Sequence, residues 1–475
     1  AMLLGSPGLT NDDCCCTPLS PSPSPPPRSR GSIFMALGAA LIAGAWVAAP
    51  ASHLIPNGLA VSPQAGLQAS THLSLLGLFQ RKRAVRSLNH TIQNPEAVRK
   101  VADGNTKFTS SLYMQVKDTV EGNMAVSPFG ATAAMALVSV GASGATLQEV
   151  QQACHFPEEA ILHVGLSDLI HNLQSTVKYM TFATRMFIAT GYPFAPAFTS
   201  TMATYYEGAY ESIDFGRSVR ARGNINSWVQ KETRGKAKDV VAAVNASTRL
   251  VLVNVIYFKG QWARRFCASR TQPLPFHLSP ELSVAVPMMQ LEGQFRTASL
   301  QRLDAMILEL PYKGNRLSLI LILPNDRYGL SEVEKKLPSF DLNQVNTKLT
   351  MAMKRKVTVS LPRFRLESSH DLLQALQQMG PKTIASEAQA DFSRLSTMEG
   401  LHISTIVQKL IVHVDEGGGV DPADPKEDIP SIGNRSAARG PSPPFSCEHP
   451  FLFIVKDSLT RTILFAGRVL RPDVL

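Results

Sequence analysis

The sequence predicts an α+β fold in which helices precede large, partly buried sheets. Helical spacing of apolar residues dominates the first half of the chain from about Pro95, whereas short strand-like runs dominate the second half. The strand-like runs do not alternate with helices in a repeating βα pattern, which favours separate helical and sheet regions. Hydrophobic residues make up 44% of the 475 residues and charged residues 18%, so the chain can bury a sizeable core.

The N-terminal region is predicted to consist of a low-complexity segment, called the head below, followed by a secretory signal. Residues 1–32 are rich in Ser, Pro and Cys and cannot build a core. Arg28 and Arg30 precede an apolar run with small residues after it, an order that predicts a secretory signal at 33–51. The run is short for a membrane span, but a signal anchor stays an alternative because the head is long. Translation that begins at Met35, or a head that is not native coding sequence, would also explain that length.

The glycosylation acceptor patterns fit a secreted protein, whereas the cysteines indicate no disulfide framework. N-glycosylation acceptor patterns begin at Asn89, Asn245 and Asn434. Of the six cysteines, three are adjacent at 14–16 and the others are widely separated, so no spacing resembles a metal site or a disulfide framework. We interpret residues 52–94 as a linker and 95–475 as the globular domain.

Helices and strands can be placed within that domain. Apolar spacing predicts a helix over 98–116, and Ser127 before Pro128 predicts the start of a buried helix that runs to Val140. Several predicted strands are apolar on both faces, as expected for strands buried between two layers. These predicted strands are 250–258, 317–323, 357–361, 409–414, 451–455 and 462–469.

The net charge of +10 leaves two interpretations open. Clustered Lys and Arg suit an anionic partner such as a sulfated polysaccharide, a membrane surface or nucleic acid. A solvated surface with excess base is the alternative, and we favour it because the clustering is weak. The richest stretch holds Arg217, Arg220, Arg222, Lys231, Arg234, Lys236 and Lys238, followed by Arg264, Arg265 and Arg270.

No catalytic constellation is present in the sequence. The G-x-S-x-G pattern is missing because the glycines at 141 and 144 are one residue too close. Phosphate-binding and zinc-protease motifs are also missing. His370 and Asp371 could join a serine in a triad, but as lone residues they are more typical of a surface or a helix cap. The sequence therefore predicts no enzyme, no cofactor and no metal.

Nine short segments, in this order, resemble the serpin family over about residues 95–475. They are NMAVSPFG at 123–130, GASGAT at 141–146, NSWV at 226–229, LVLVNVIYFKGQWARRF at 250–266, VPMM at 286–289, LPRF at 361–364, ADFS at 390–393, HPFLFIV at 449–455 and GRV at 467–469. Gln408, where many serpins carry histidine, and the SPFG motif resemble the branch of plasminogen activator inhibitors and protease nexin.

The resemblance implies a fold of three β-sheets and eight or nine helices, with an exposed reactive-centre loop at about 416–448. It implies a monomer that inhibits a trypsin-like serine protease as a suicide substrate, without a nucleic-acid partner. Residues that control opening of the central sheet are implied at Asn123, Ser127, Asn254, Trp262 and Gln408. A glycosaminoglycan site is a weaker implication, because residues 162–180, which would carry it, hold little base beyond Lys178.

The hinge of this loop departs from the inhibitory pattern. The segment Glu416, Gly417, Gly418 matches the family, but Gly419, Val420 and Asp421 then lead into prolines and carboxylates instead of small residues. Proline has no N–H to donate within a central strand. The alternative is therefore a non-inhibitory serpin that binds a partner or acts as a chaperone, or a plain protease substrate.

The scissile bond is not fixed by the sequence. Spacing from Glu416 places the residue before it at Ile432, whereas spacing back from Pro450 places it at Arg439. Arg435 and Arg439 would each attract a trypsin-like protease. The loop is thus longer than usual, and a mispredicted exon at about 420–448 is a further explanation.

Overall fold

The structure is a computed structural model that describes residues 92–417 and 444–472. Nine α-helices occur in these two stretches: α1 (Pro95–Lys117), α2 (Pro128–Gly141), α3 (Gly144–Ala153), α4 (Glu159–Thr176), α5 (Pro196–Tyr205), α6 (Ser218–Glu232), α7 (Leu330–Lys336), α8 (Asn343–Met351) and α9 (Leu373–Met379).

Fourteen strands occur in the same stretches. They are β1 (Met124–Val126), β2 (Met180–Ala189), β3 (Tyr210–Ile213), β4 (Leu250–Lys259), β5 (Gln272–His277), β6 (Ser283–Leu300), β7 (Ala305–Pro311), β8 (Leu317–Pro324), β9 (Arg355–Pro362), β10 (Phe364–Asp371), β11 (Ile403–Val414), β12 (Pro444–Ser446), β13 (Phe451–Asp457) and β14 (Ile463–Val469).

Five of the strands form the central sheet, in the order β10-β11-β4-β2-β3. The pairs β10/β11 and β2/β4 are antiparallel. The pairs β4/β11 and β2/β3 are parallel. A parallel contact between β4 and β11 therefore lies inside the sheet, with antiparallel neighbours on both sides.

The other strands form two sheets that share the 18-residue strand β6. Its first part pairs with β5 and β9, and its last part, from Arg296, pairs with β7. From β7 the second sheet continues through β8, β13 and β14 to β1, whereas the third ends at β12. Three sheets and nine helices within the described residues confirm the fold class that the resemblance implied.

Both faces of the central sheet are covered, which explains why its strands lack alternation. Val251, Val253 and Val255 of β4 pack in one cluster with Ile225 and Val229 of α6. The intervening β4 residues Leu250, Leu252 and Ile256 belong to the main core, as does α2, whose every residue is buried. The sheet is thus sandwiched between α6 and α2.

The predicted α2 start is confirmed, because the Ser127 side chain accepts a hydrogen bond from Gly130 N at 2.9 Å. The strand predicted at 409–414 begins six residues earlier, at Ile403. The polar residues Ser404, Thr405 and Gln408 interrupt the apolar run there and hid the first half of the strand. Among the described residues no helix is long and apolar enough to cross a membrane. In the described part of the chain, Cys154, Cys267 and Cys447 are not joined in disulfide bonds.

Candidate functional site at the seam of the central sheet

The parallel contact between β4 and β11, called the seam below, is closed along its whole length. Pairing runs from Ile403 opposite Leu250 to His413 opposite Lys259. After β11 the chain passes through Asp415, Glu416 and Gly417 toward the segment 418–443, and it is described again from β12. A segment that turned back from the end of β11 into the seam would run antiparallel to both strands.

A buried polar cluster lies beneath the middle of the seam. Ser127, Asn254 and Gln408 are each at most 1% exposed. Gln408 Oε1 accepts from Ser127 N at 2.7 Å, and Gln408 Nε2 donates to Ser127 O and to Asn254 Oδ1, both at 3.0 Å. The register places Gln408 directly opposite Asn254 across the seam. The cluster therefore joins the two strands to each other and to the start of α2.

The cluster also reaches elements on either side. Asn254 Nδ2 donates to Thr184 Oγ1 on β2 at 2.7 Å, and Ser127 Oγ donates to Leu464 O on β14 at 2.6 Å. Every group in this network is uncharged. Parting the strands would expose or orphan buried donors and acceptors, each costing roughly 1–3 kcal/mol when unsatisfied.

Gly130 gives this cluster its space. A Cβ at Gly130 would lie 2.1 Å from Asn254 Oδ1, closer than any van der Waals contact. The first turn of α2 can approach β4 this closely only because position 130 has no side chain.

His370 lies beside the cluster and was not recognised as part of it from the sequence. In the β10/β11 register His370 is opposite Gln408, and its Nε2–H donates to Ala125 O at 3.1 Å. Burial lowers the pKa of His370, which keeps the ring neutral at this contact. The neighbouring Asp371 accepts from Leu373 N at 3.0 Å and from Thr405 Oγ1 at 2.6 Å. Both residues thus make structural contacts.

A second set of contacts, called the upper clamp, holds the end of β11. Trp262 Nε1 donates to Asp415 O at 2.7 Å, and Lys259 Nζ forms an ion pair with Asp415 Oδ2 at 3.0 Å. Glu416 forms an ion pair with Arg363 and accepts from Thr271 Oγ1 at 2.7 Å. The clamp therefore ties the beginning of the hinge to β4, to the chain just after β4 and to β9's end.

Electrostatics favour the charged form of Glu416 in the clamp. Burial alone would raise the pKa of Glu416, but the hydrogen bonds from Arg363 and Thr271 outweigh burial, so the pKa lies below its usual value. Trp262 is held in place by stacking on Tyr312, with ring centroids 4.5 Å apart and planes 12° from parallel.

The first hinge glycine is required by the backbone. Gly417 has φ of +96°, which a side chain would strain. A Cβ there would also lie 2.4 Å from Trp262 Cδ1. The chain therefore leaves the clamp in one direction, directly over the indole.

The five residues assigned to sheet opening occupy three places. Ser127, Asn254 and Gln408 meet beneath the seam, and Trp262 lies in the upper clamp. Asn123 makes its hydrogen bonds elsewhere, because its Oδ1 accepts from Leu470 N at 2.7 Å and from Arg471 N at 3.0 Å. These contacts fasten the end of β14, and the assignment of Asn123 to the sheet-opening residues stays a prediction.

Other predicted site residues are divided between described and undescribed stretches. Asn245 is exposed, and its Oδ1 accepts from Ser247 Oγ at 2.6 Å. Gly418, Gly419, Val420, Asp421, Ile432, Arg435, Arg439, Asn89 and Asn434 lie outside the described residues. Within residues 92–417 and 444–472, no group of three His, Cys, Asp or Glu side chains is placed to hold a metal ion.

Comparison with known proteins gives the family. The family model described as "Serpin (serine protease inhibitor)" matches residues 103–472. The chain belongs to the serpin family. Since serpins are inhibitors of proteases, the prediction that the chain is not an enzyme is confirmed.

Individual serpins match over nearly their whole length. Human Serpin B3 is 33% identical over 393 residues, covering 78% of this chain and 99% of that protein. The bovine leukocyte elastase inhibitor is 34% identical over 378 residues, covering 78% and 98%. Among solved structures, uncleaved ovalbumin matches with a TM-score of 0.69 and 27% identity, covering 78% and 100%. Serpin48 of the insect Tenebrio molitor matches with a TM-score of 0.68 and 30% identity, covering 79% and 98%. The branch of plasminogen activator inhibitors and protease nexin stays a prediction.

Proposed function

We propose that this serpin inhibits a trypsin-like serine protease as a suicide substrate, with residues 416–448 as its reactive-centre loop. The observation that carries the proposal is the seam, a closed parallel contact that has an antiparallel pair on each side and whose strand β11 continues into the loop. The name of one relative, leukocyte elastase inhibitor, supports an inhibitory role.

The chemistry requires no catalytic group from the serpin. The protease serine attacks the carbonyl carbon of the scissile peptide bond, the new amine end leaves, and an acyl-enzyme ester links the protease to the loop. The N-terminal part of the loop then enters the seam as a strand. If this insertion displaces and distorts the attached protease first, water can no longer hydrolyse the ester and the protease stays covalently bound.

The sheet topology supplies a driving force for that step. Entry of one strand replaces a single parallel ladder by two antiparallel ladders, which are slightly more stable per residue. It also satisfies the N–H and C=O groups of the inserted segment, as in other cases of strand addition. Against this gain stand the polar cluster and the upper clamp, which keep the seam closed before cleavage.

Arginine in the loop supports a trypsin-like target. Arg435 and Arg439 each offer the positive side chain that an aspartate-lined specificity pocket binds. Ile432, the position given by spacing from Glu416, would suit a protease with an apolar pocket instead. We propose Arg439 as the residue before the scissile bond.

A second candidate function, a non-inhibitory serpin or plain protease substrate, is favoured by the composition of the hinge. Pro422 and Pro425 cannot donate to a neighbouring strand, and each unmatched buried carbonyl costs roughly 1–3 kcal/mol. Side-chain alternation would turn Asp421 and Glu427 to one face of the inserted strand, and an unpaired buried carboxylate costs several kcal/mol. Slow insertion would allow the acyl-enzyme to hydrolyse first.

Incubation with trypsin distinguishes the two candidates. We expect a covalent complex that survives denaturant, and we expect Arg439→Ala to abolish it while Arg435→Ala does not. Clean cleavage near either arginine without a complex would reject inhibition and support the substrate role.

A loop variant tests the physical reason behind the alternative. Combined replacement Asp421→Ala, Pro422→Ala and Pro425→Ala removes the hinge obstacles, so the complexed fraction should rise several-fold relative to the cleaved fraction. Pro441→Ala with Pro443→Ala is the matched control, because these residues lie beyond the proposed scissile bond and do not enter the seam. An equal change in both variants would contradict the role of the hinge.

We also propose secretion as a monomer, with residues 33–51 as the signal and 95–475 as the serpin domain. The apolar run after Arg28 and Arg30 and the exposed acceptor Asn245 support secretion. N-terminal sequencing of material from the medium of expressing cells tests the proposal, and protein retained in the cells with its signal uncut would contradict it.

A further inference from the structure

The turn between α8 and β9 exposes two methionines to solvent. Met351, the last residue of α8, is 78% exposed, and Met353 is 88% exposed. Side chains exposed to this degree stand on a convex tip and touch little of the protein. Single exposed apolar side chains are normal, but two at one turn form an apolar patch, which is typical of an interaction site.

The fold does not use these methionines. Helix α8 lies on β6 and β7, and it buries Val345 and Leu349 in the main core. Ala352 then ends the helix in an extended conformation, with φ of −74° and ψ of 128°. The helix thus already has an apolar face that packs on the sheets, and Met351 and Met353 add nothing to it.

Exposed cations flank the two methionines in the sequence. Lys348 precedes Met351 by three positions, so both lie on one face of α8. Lys354 and Arg355 directly follow Met353, and all three cations are exposed. We call these five residues the Met-cation patch.

The cations of the patch are not neutralised by the protein itself. Among the carboxylates of residues 92–417 and 444–472, none lies within ion-pair distance of Lys348, Lys354 or Arg355. The next cation, Lys356, differs, because its Nζ lies 2.6 Å from Glu292 Oε1. The patch therefore carries three uncompensated positive charges, which attract an anionic partner.

The patch lies close to the point where the chain returns from the loop. Pro444, the first residue described after Gly417, is opposite Thr358 in the pair of β12 and β9. Arg355 is three residues before Thr358 on β9, about 10 Å away at the rise of a strand. A partner bound to the patch would therefore lie next to the C-terminal end of the loop.

We propose that the Met-cation patch docks on the surface of an anionic lipid membrane. The two methionine side chains enter the boundary between headgroups and acyl chains, while the three cations contact anionic headgroups. A polyanion such as heparin or duplex DNA would bind the cations but gain nothing from the methionines. A protein partner would need an apolar pocket with an acidic rim, whereas a bilayer accepts a convex tip anywhere on its surface.

Flotation of the full chain with lipid vesicles tests the electrostatic part of the proposal. We expect binding to phosphatidylcholine vesicles that contain phosphatidylserine, weaker binding as salt is raised, and no binding to phosphatidylcholine alone. Lys348→Gln, Lys354→Gln and Arg355→Gln together should weaken binding on the order of 100-fold, from about fivefold per cation.

A second triple variant controls for net charge. Arg220, Lys231 and Lys238 lie on or just after α6, are exposed, and have no carboxylate at ion-pair distance in the stretches that the structure describes. Their joint replacement by Gln changes the net charge equally and should weaken vesicle binding much less than replacement within the patch.

The apolar part of the proposal has its own test. Met351→Ser with Met353→Ser should weaken vesicle binding about tenfold and leave its salt dependence unchanged, because no charge is removed. The matched control is Val219→Ser with Leu459→Ser, which removes two exposed apolar side chains elsewhere and should leave binding unchanged.

Three results would overturn membrane docking. These are failure of the parent protein to bind phosphatidylserine vesicles, an equal loss in both triple variants, and a methionine variant that binds vesicles as tightly as the parent, which would reduce the patch to a general polyanion surface. Circular dichroism and denaturant unfolding verify that every variant folds. The proposed inhibition of a protease is measured without lipid, so failure of one proposal leaves the other standing.

Discussion

The polar cluster and the upper clamp close the same seam by different physics. The cluster of Ser127, Asn254 and Gln408 is fully buried and uncharged, so its hydrogen bonds are insensitive to salt and need no titrating group. The clamp relies on ion pairs of Asp415 and Glu416 in partly exposed positions, so it depends on pH and ionic strength. The difference indicates that the middle of the seam is held closed under all solution conditions, whereas its end next to the loop is held by contacts that pH and salt can weaken.

The largest effect is expected from crowding the cluster. Gly130→Ala places a methyl group 2.1 Å from Asn254 Oδ1 and should lower the free energy of unfolding by about 3 kcal/mol. Gly223→Ala in α6 is the control, since no atom lies within 4 Å of its Cβ, and it should be neutral or stabilising by up to about 1 kcal/mol. Denaturant unfolding measures both. Similar losses in the two variants would contradict the tight fit.

A smaller loss is expected from breaking the cluster without adding volume. Gln408→Leu leaves Ser127 N and O without their side-chain partner and should cost about 2 kcal/mol. Because no charge is involved, the loss measured by denaturant unfolding should be the same at low and high salt. A marked dependence on salt would contradict the neutral character of the cluster.

The clamp should respond more weakly to substitution and more strongly to solution conditions. Glu416→Gln removes the ion pair to Arg363 and should cost about 1 kcal/mol or less at low salt. The folded-state pKa of Glu416 is lowered, so its contribution is present above its ordinary value of 4.5 and is lost as pH falls through the lower folded value. The variant should not show this acid-dependent loss in unfolding experiments.

The rate at which a synthetic strand peptide inserts between β4 and β11 tests whether the upper clamp keeps the seam closed. Glu416→Gln should speed uptake, because the upper end of β11 is released. Glu367→Gln is the matched control, since it removes an ion pair to Lys409 within the same sheet but outside the clamp. Equal acceleration in both variants would show that the clamp has no special role.

The smallest effect is expected at His370. Its pKa is lowered from 6.5 in the folded state, so the unfolded chain takes up a proton first and stability falls as pH decreases below about 6.5. His370→Gln keeps a donor for Ala125 O and should flatten this part of the stability profile by less than about 1 kcal/mol. Thermal unfolding between neutral and mildly acidic pH measures it, and an unchanged slope would contradict the assignment.

Local features of the fold could be predicted from the sequence. Ser127 and Pro128 signal a helix start through capping chemistry, and the strand at 250–258 is recognisable because both faces are apolar. Strand β2 was not predicted, because polar Thr and Arg residues interrupt its apolar pattern. Its pairing with β4 could not be predicted either, because it joins distant parts of the chain.

The candidate site was predicted only in part, for a similar reason. The meeting of Asn254 and Gln408 follows from a strand register that spans 154 residues of chain, and Glu416 meets Thr271 across 145 residues. No local pattern encodes such contacts, so family motifs indicated the residues but not their partners. Asn123 shows the limit, because its motif lies next to Ser127 while its hydrogen bonds go to the chain after β14.

The most direct test of the seam is the thermal midpoint before and after cleavage within residues 418–443. Insertion of the freed loop adds a strand to the central sheet, and we expect the midpoint to rise by roughly 10 °C or more. The loop variant with alanines at 421, 422 and 425 should show the larger rise. An unchanged midpoint in both proteins after complete cleavage would contradict strand entry at the seam.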